Sequence, residues 1–128
     1  MLLSAHSGFR YLVLLIGIVV IAYAAYGMAT GRPYDQRMRI LVALFTGVLD
    51  LTALLGFTMI LMGTFYAGLG SHIVPMILAL AIAHVVSAVT KKRPPEERTY
   101  APHLVATLLI LGVLSYGIVY GLGRPIVG

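Results

Sequence analysis

Long windows without formal charge are the feature that most constrains how this chain can fold. Residues 11–31 and 102–123 contain no Asp, Glu, Lys or Arg, and between residues 40 and 90 the only formally charged residue is Asp50. About 20 apolar residues cross the hydrocarbon core of a bilayer, so each outer window holds one span and the central window holds two. With 60% hydrophobic and 10% charged residues, the chain has the composition of an integral membrane protein.

These windows predict an all-α integral membrane fold, a single domain over residues 1–128 that forms a four-transmembrane-helix bundle. The motif AGLGSH divides the central window, because its glycines interrupt the apolar run. Pro102 fits the start of the last helix, where a missing N–H group costs nothing. The helices are expected at about residues 9–31, 40–66, 72–90 and 102–123.

The basic residues orient these helices. Seven of the nine Lys and Arg residues lie in the loops GRPYDQRMR and KKRPPEER, which the positive-inside rule makes cytoplasmic. Both termini are then expected outside, at the periplasmic face of a bacterial inner membrane. Because topology accounts for the net charge of +5, no nucleic-acid partner is expected. A cleaved signal peptide is the competing interpretation of the first apolar run, but it would move the arginine-rich first loop outside.

The residue types exclude several kinds of site. Without cysteine the chain forms no disulfide, iron–sulfur cluster, thiolate zinc site or covalent c-type haem attachment. No phosphate loop, nucleophilic triad or HExxH-type motif is present, so an independent hydrolase or transferase is not expected. An electron carrier or an accessory subunit fits this inventory better than an independent enzyme.

Two histidines occupy matching places in the sequence, in SAHSG before the first helix and in GSHIV before the third. If the two helical hairpins are related by a pseudo-twofold axis, His6 and His72 face each other near the outer surface. Two neutral imidazoles at one depth are the axial ligands that a b-type haem iron requires. Arg10, one helical turn after His6, and Arg124 lie in the same layer, where haem propionates would point. Alternatively, the histidines are interfacial polar caps and the arginines reach lipid phosphates.

Further ionisable residues lie at membrane depth, where they are costly. His84 follows His72 by twelve residues, about 18 Å along the helix and about 120° around it, which argues against two haems stacked on this helix. An inner haem on His84 and His103 is a weaker alternative. Asp50 and His84 can meet as a carboxylate–imidazole pair between antiparallel helices. Asp50 is otherwise a candidate for a proton relay, for orienting a histidine ligand, or for a plain helix–helix hydrogen bond.

Three segments together resemble a known family: HSGFRYLVLLIG, GRPYD followed by ALFTGVLDLTALLGF, and SHIVPMILALAIAHV. It consists of small four-helix bacterial membrane proteins that open H-[ST]-G-[LF]-R-[WY] and are often labelled cytochrome-b-like. An acidic residue often precedes the third-helix histidine in that family, whereas this chain has Ser71. The resemblance implies b-type haem and electron transfer. The positions that match the family pattern are His6, Gly8, Arg10, His72 and His84.

The sequence therefore predicts an electron-transfer protein, or a subunit of a respiratory or photosynthetic complex, with one haem b between His6 and His72. The alternative is a cofactor-free accessory subunit that stabilises a larger membrane complex, with the GxxxG of Gly117 and Gly121 as a packing face. A third interpretation is a small proton- or metal-coupled transporter that uses Asp50 and the histidines. The expected partners are the lipid bilayer and a larger membrane complex or a homo-oligomer.

Overall fold

A computed structural model describes residues 2–126, apart from the side chains of Thr64 and Ala67, and the regular structure in that range is helical. Four of its helices are long and apolar enough to cross a membrane, which confirms the predicted all-α fold with four spans. We label them in chain order as α1 (Leu2–Thr30), α2 (Gln36–Met59), α3 (Gly70–Lys92) and α4 (Ala101–Val119).

Helix α1 begins at Leu2 rather than near residue 9. Hydropathy places the start of the helix where polar residues give way to apolar ones. Nothing in SAHSGFR, however, breaks a helix. The segment has no proline, and its one glycine costs only about 1 kcal/mol relative to alanine. His6 and Arg10 therefore lie on successive turns of one continuous helix, so the backbone fixes their relative positions.

The ends of α2 are set by specific side chains and backbone angles. At its start the Asp35 carboxylate accepts a hydrogen bond from the Met38 backbone N–H at 3.0 Å, which is an N-cap interaction. At its far end α2 widens into a π-helical segment, Ile60–Thr64, in which Gly63 has a φ of 91° that favours glycine. A 3-10 turn at Ala67–Leu69 then leads into α3.

Helix α4 ends at Val119, short of the predicted residue 123. Two glycines follow at positions 121 and 123, and Gly123 has a φ of 66°, a left-handed conformation that does not continue a helix. At the other end of the bundle, a 3-10 turn at Pro95–Glu97 connects α3 to α4. The last residues of the predicted fourth span thus belong to a turn that folds back beside the start of α3.

The four helices pack as two hairpins, α1 with α2 and α3 with α4, and α1 also packs against α4. Helices α2 and α3 make the least extensive of these interfaces, and α1 and α3 lie diagonally across the bundle. Side chains such as Val20, Phe45 and Ile110 fill the centre. Large apolar side chains such as Leu54 and Val74 point outward, as expected of a surface that contacts lipid.

Tyrosines fix the loop between α1 and α2 to the rest of the bundle. The Tyr100 hydroxyl donates a hydrogen bond to the Pro33 carbonyl at 2.8 Å, and the Tyr23 hydroxyl donates to the Asp35 carboxylate. The hydrogen bond from Tyr23, together with that from the Met38 N–H, holds the pKa of the Asp35 carboxyl below its ordinary value. The loop that carries the first basic cluster is therefore held in one conformation.

Candidate functional site

A cleft opens among all four helices at the end of the bundle where α1 begins and α4 ends. It has a volume of about 120 Å³, room for roughly eight to twelve water molecules at about 10–15 Å³ each. Its walls are mainly apolar, and they include Leu49, Met76, Leu80 and Leu114. The polar groups that reach it are therefore few, and most of them are residues that the sequence singles out.

His6 enters the cleft from α1 and is oriented by the backbone of α2. Its Nδ1 lies 2.8 Å from the Thr52 carbonyl oxygen. A carbonyl only accepts, so Nδ1 donates and carries the ring proton, which leaves the lone pair of the neutral imidazole on Nε2. Gly56, one turn after Thr52, provides the space, because a Cβ there would lie 2.9 Å from the His6 Cε1.

His72 enters from α3 in the same manner. Its Nδ1 lies 3.1 Å from the carbonyl oxygen of Gly117 on α4 and donates to it, so Nε2 again keeps the lone pair. Glycines bring the two helices together at this level: a Cβ on Gly117 would lie 2.6 Å from the Met76 Cε, and one on Gly121 would lie 2.5 Å from the Ser71 carbonyl oxygen. The GxxxG motif is thus covered by α3 of the same chain.

The separation of the two imidazole rings is compatible with a metal ion held between them, and also with a direct edge-to-face ring contact. Their ring centroids are 6.3 Å apart and their planes meet at 87°. A metal between two histidine nitrogens on opposite sides, with bonds of about 2.0–2.1 Å and each nitrogen about 1.2 Å from its ring centre, would separate the centroids by about 6.4–6.6 Å. Hydrogen-bonding of the distal nitrogen to a carbonyl is also the usual way in which a protein orients a metal-binding histidine.

This donor set suits haem better than a bare metal ion. Within residues 2–126, no three His, Cys, Asp or Glu side chains come close enough together to hold a metal ion. Two imidazoles alone leave most coordination positions to be filled, and a porphyrin fills four of them. At about 120 Å³ the cleft is smaller than the about 300–1,000 Å³ usual for small-molecule sites, so a porphyrin would fit only if the cleft widened.

Arg10 and Arg124 both line the same cleft as the two histidines. The Arg10 Nη2 donates a hydrogen bond to the Tyr11 hydroxyl at 2.9 Å, and its guanidinium lies 4.8 Å from the centre of the Tyr11 ring. Arg124 lies beyond the end of α4, and its backbone N–H donates to the Ile118 carbonyl at 3.3 Å. The structure therefore brings together four predicted site residues, His6, Arg10, His72 and Arg124.

His84 lies elsewhere, on the outer side of the α2–α3 interface. Its Nε2 is 2.7 Å from Asp50 Oδ1, so the carboxylate–imidazole pair expected between these helices is formed. Neither side chain lines the cleft, and both are about half exposed. His84 is therefore not placed with His6 and His72, in agreement with its angular separation from His72 around α3.

His103 is buried at the opposite end of the bundle. Its Nε2 lies 3.1 Å from the Tyr34 hydroxyl, its ring stacks on the Tyr34 ring, and it is 2% exposed. The small cavity beside it has a volume of about 10 Å³, about enough for one water molecule. His84 does not line this cavity, so the two histidines of the weaker inner-haem alternative do not share it. Sequence reasoning missed Tyr34, whose only signal is its place just before the Asp35 N-cap.

Comparison with known proteins adds no relative: no family model, curated protein or solved structure matches the chain. The likeness to cytochrome-b-like proteins therefore rests on the three quoted segments. The chemistry available to the cleft depends on its own residues and their geometry.

Proposed function

We propose that this protein binds one b-type haem in the cleft and serves as a membrane-embedded electron-transfer protein. The observation that carries the proposal is the spacing of His6 and His72, with centroids 6.3 Å apart and each Nδ1 tied to a backbone carbonyl. This arrangement leaves both Nε2 atoms as the available ligands from two diagonally opposed helices. A bound haem supplies one-electron redox chemistry.

The remaining residues of the cleft suit that role. Arg10 and Arg124 supply positive charge for carboxylate groups, since guanidinium groups pair strongly with carboxylates. The apolar walls, among them Leu49 and Leu114, exclude water from the ring. His6 and His72 would together hold the haem iron, and a haem held by two histidines would supply electron transfer rather than a site for substrate at the metal.

The proposed setting is the inner membrane of a bacterium, with the cleft on the periplasmic side. The basic loops lie at the opposite end of the bundle from the cleft, and the positive-inside rule places such loops in the cytoplasm. Residues 2–126 form helices and short connections only, so other molecules have to deliver and remove electrons. We therefore propose that the protein acts within a larger respiratory or photosynthetic complex.

A reduced-minus-oxidised absorption spectrum of the purified protein, loaded with haemin if necessary, tests the proposal. We expect a low-spin b-type spectrum and one haem per chain by pyridine haemochrome assay. His6→Ala and His72→Ala should each abolish the low-spin spectrum. His84→Ala is the matched control, because it removes a histidine outside the cleft and should leave the spectrum unchanged.

Two results would contradict the proposal. One is the absence of any b-type band in the wild-type protein after loading with haemin. The other is a full low-spin band in His72→Ala, which would show that a different residue binds the iron. Helical content by circular dichroism should be the same in all variants, so that loss of haem is distinguished from loss of fold.

A further inference from the structure

The Asp50–His84 pair is exposed within a membrane-spanning segment. Asp50 follows the first residue of α2 by fourteen residues, about 21 Å along the axis, and His84 precedes the last residue of α3 by eight, about 12 Å. Their side chains are 47% and 57% exposed. Ionisable groups at this depth almost always face a bundle interior or a water-filled cavity, whereas these two face outward.

Each residue of the pair has hydrogen-bonding capacity left over. His84 Nε2 is bonded to Asp50 Oδ1, and within residues 2–126 neither His84 Nδ1 nor Asp50 Oδ2 makes a hydrogen bond. In the ion-paired form the imidazolium donates through both nitrogens and the carboxylate accepts through both oxygens. One donor and one acceptor therefore face outward at nearly the same depth, where lipid tails offer no partner.

Small residues lie one turn before Asp50 and on either side of His84, while the exposed Leu54 lies one turn after Asp50. Gly47 lies one turn before Asp50, and a Cβ at that position would have no atom within 4 Å. On α3, Ala81 and Ala88 lie one turn on either side of His84 and are exposed. Small side chains of this kind let helix backbones from another chain approach closely. Unlike the Gly117–Gly121 face, which α3 covers, this face has no partner within the described residues.

We propose that this face, formed by Gly47 and Asp50 on α2 and by Ala81, His84 and Ala88 on α3, is where two copies of the chain form a twofold-symmetric dimer. A twofold axis along the membrane normal keeps each residue at its own depth, so the pair of one copy meets the same pair of the other. The free Asp50 Oδ2 of each copy then accepts from the free His84 Nδ1 of its partner.

In the ion-paired form, the surface is complementary to itself in charge. Two imidazolium groups and two carboxylates make a closed ring with no net charge and no unused donor or acceptor. The α2–α3 interface is the least extensive within the bundle, so a second copy also covers the weakest part of the monomer. This inference does not depend on haem, and the dimer forms with or without an occupied cleft.

The test uses the 128-residue chain, which has no cysteine of its own. An exposed residue in the second basic loop, Thr99, is replaced by cysteine and labelled with a donor or an acceptor dye. Purified protein is placed in liposomes, and energy transfer is followed as lipid dilutes the protein. We expect transfer that persists on dilution and depends linearly on the acceptor fraction, as it does for a dimer.

Two matched substitutions locate the interface. Gly47→Leu fills space that is open in the monomer, so the chain still folds, but the bulk separates the two copies. Gly112→Leu makes the same change on α4, where a Cβ also meets nothing within 4 Å. We expect Gly47→Leu and Asp50→Ala each to require at least a tenfold higher protein-to-lipid ratio for half-maximal transfer, and Gly112→Leu to match the wild type. Circular dichroism confirms that each variant is folded.

Several results would overturn the inference. Energy transfer in the wild type no greater than that of randomly placed monomers would show that the pair faces lipid. Equal weakening by Gly112→Leu and Gly47→Leu would move the contact to another face. A requirement for a second, different protein to restore association would assign the face to a separate subunit.

Discussion

Gly56→Ala tests directly whether His6 is held in place to bind a metal. A Cβ at this position lies 2.9 Å from the His6 Cε1 and 3.3 Å from Nδ1, whereas ordinary contacts begin at 3.4 Å. The ring must therefore retreat by about 0.5 Å, which is more than twice the about 0.2 Å tolerance of a metal–ligand distance. His72, on the other side of the cleft, is untouched.

The expected magnitudes follow from this contact. Disturbing the groups that orient a metal ligand typically lowers metal affinity about 10–100-fold, so we expect haem affinity to fall at least about tenfold. Overpacking costs about 1–3 kcal/mol, and replacing glycine in a helix returns up to about 1 kcal/mol. The net loss of about 0–3 kcal/mol in unfolding free energy leaves the protein folded while its site is impaired.

The assay is a titration of the haem-free protein with haemin in detergent, followed by the absorption of the low-spin complex, with thermal unfolding measured in parallel. Gly112→Ala is the control, because it makes the same change at a helical position where the new Cβ meets nothing. It should bind haem as the wild type does and be up to about 1 kcal/mol more stable. Wild-type affinity and spectrum in Gly56→Ala would refute the placement of His6 as a ligand.

Other outcomes follow from the same geometry. If haem were held by His6 and His72 with the 87° between their rings retained, we would expect a highly anisotropic ferric EPR signal, and a rhombic signal would show that the rings do not keep this angle in the haem-bound protein. Arg124→Gln removes charge from the cleft without touching either histidine, so haem should be retained less tightly while the low-spin absorption spectrum stays unchanged. Asp35→Ala removes the α2 cap and should lower the unfolding free energy by about 1 kcal/mol. The folded state lowers the pKa of Asp35, so the ionised carboxylate stabilises the fold above about pH 4, and this stabilisation is lost as the pH falls further. The wild type should therefore lose more stability in acid than Asp35→Ala does.

The sequence predicts the spans well because charge is costly in hydrocarbon, so charge-free windows mark the helices whatever their packing. It is less informative about helix ends. The start of α1 at Leu2 depends on polar side chains that turn inward, and hydropathy does not distinguish an inward polar residue from a loop. The π-helical segment Ile60–Thr64 likewise leaves no mark in composition, because it depends on how the chain turns towards α3.

In the candidate site, too, some contacts can be predicted from the sequence and others cannot. The meeting of His6 with His72 can be expected from their matching places before the first and third helices. The contact of Asp50 with His84 can be expected from their similar depths in antiparallel helices. The carbonyls of Thr52 and Gly117 cannot be expected from sequence, because every helical residue has a carbonyl and only the helix crossing decides which one meets a ring.

The carbonyls of Thr52 and Gly117 show that the two hairpins hold their histidines in similar ways, which the sequence indicates only through the matching places of His6 and His72. In each hairpin the histidine is near the start of the first helix and donates to a carbonyl of the second helix, 46 residues later for His6 and 45 residues later for His72. Four residues after each accepting carbonyl lies a glycine, Gly56 or Gly121, whose missing side chain makes room at that level. Gly56 lies within α2, where its backbone N–H faces the Thr52 carbonyl, whereas Gly121 lies beyond the end of α4 and its N–H donates to the Tyr116 carbonyl at 3.4 Å. The two hairpins thus hold their histidines by one device used twice, which places two equivalent nitrogen donors on either side of a single cleft.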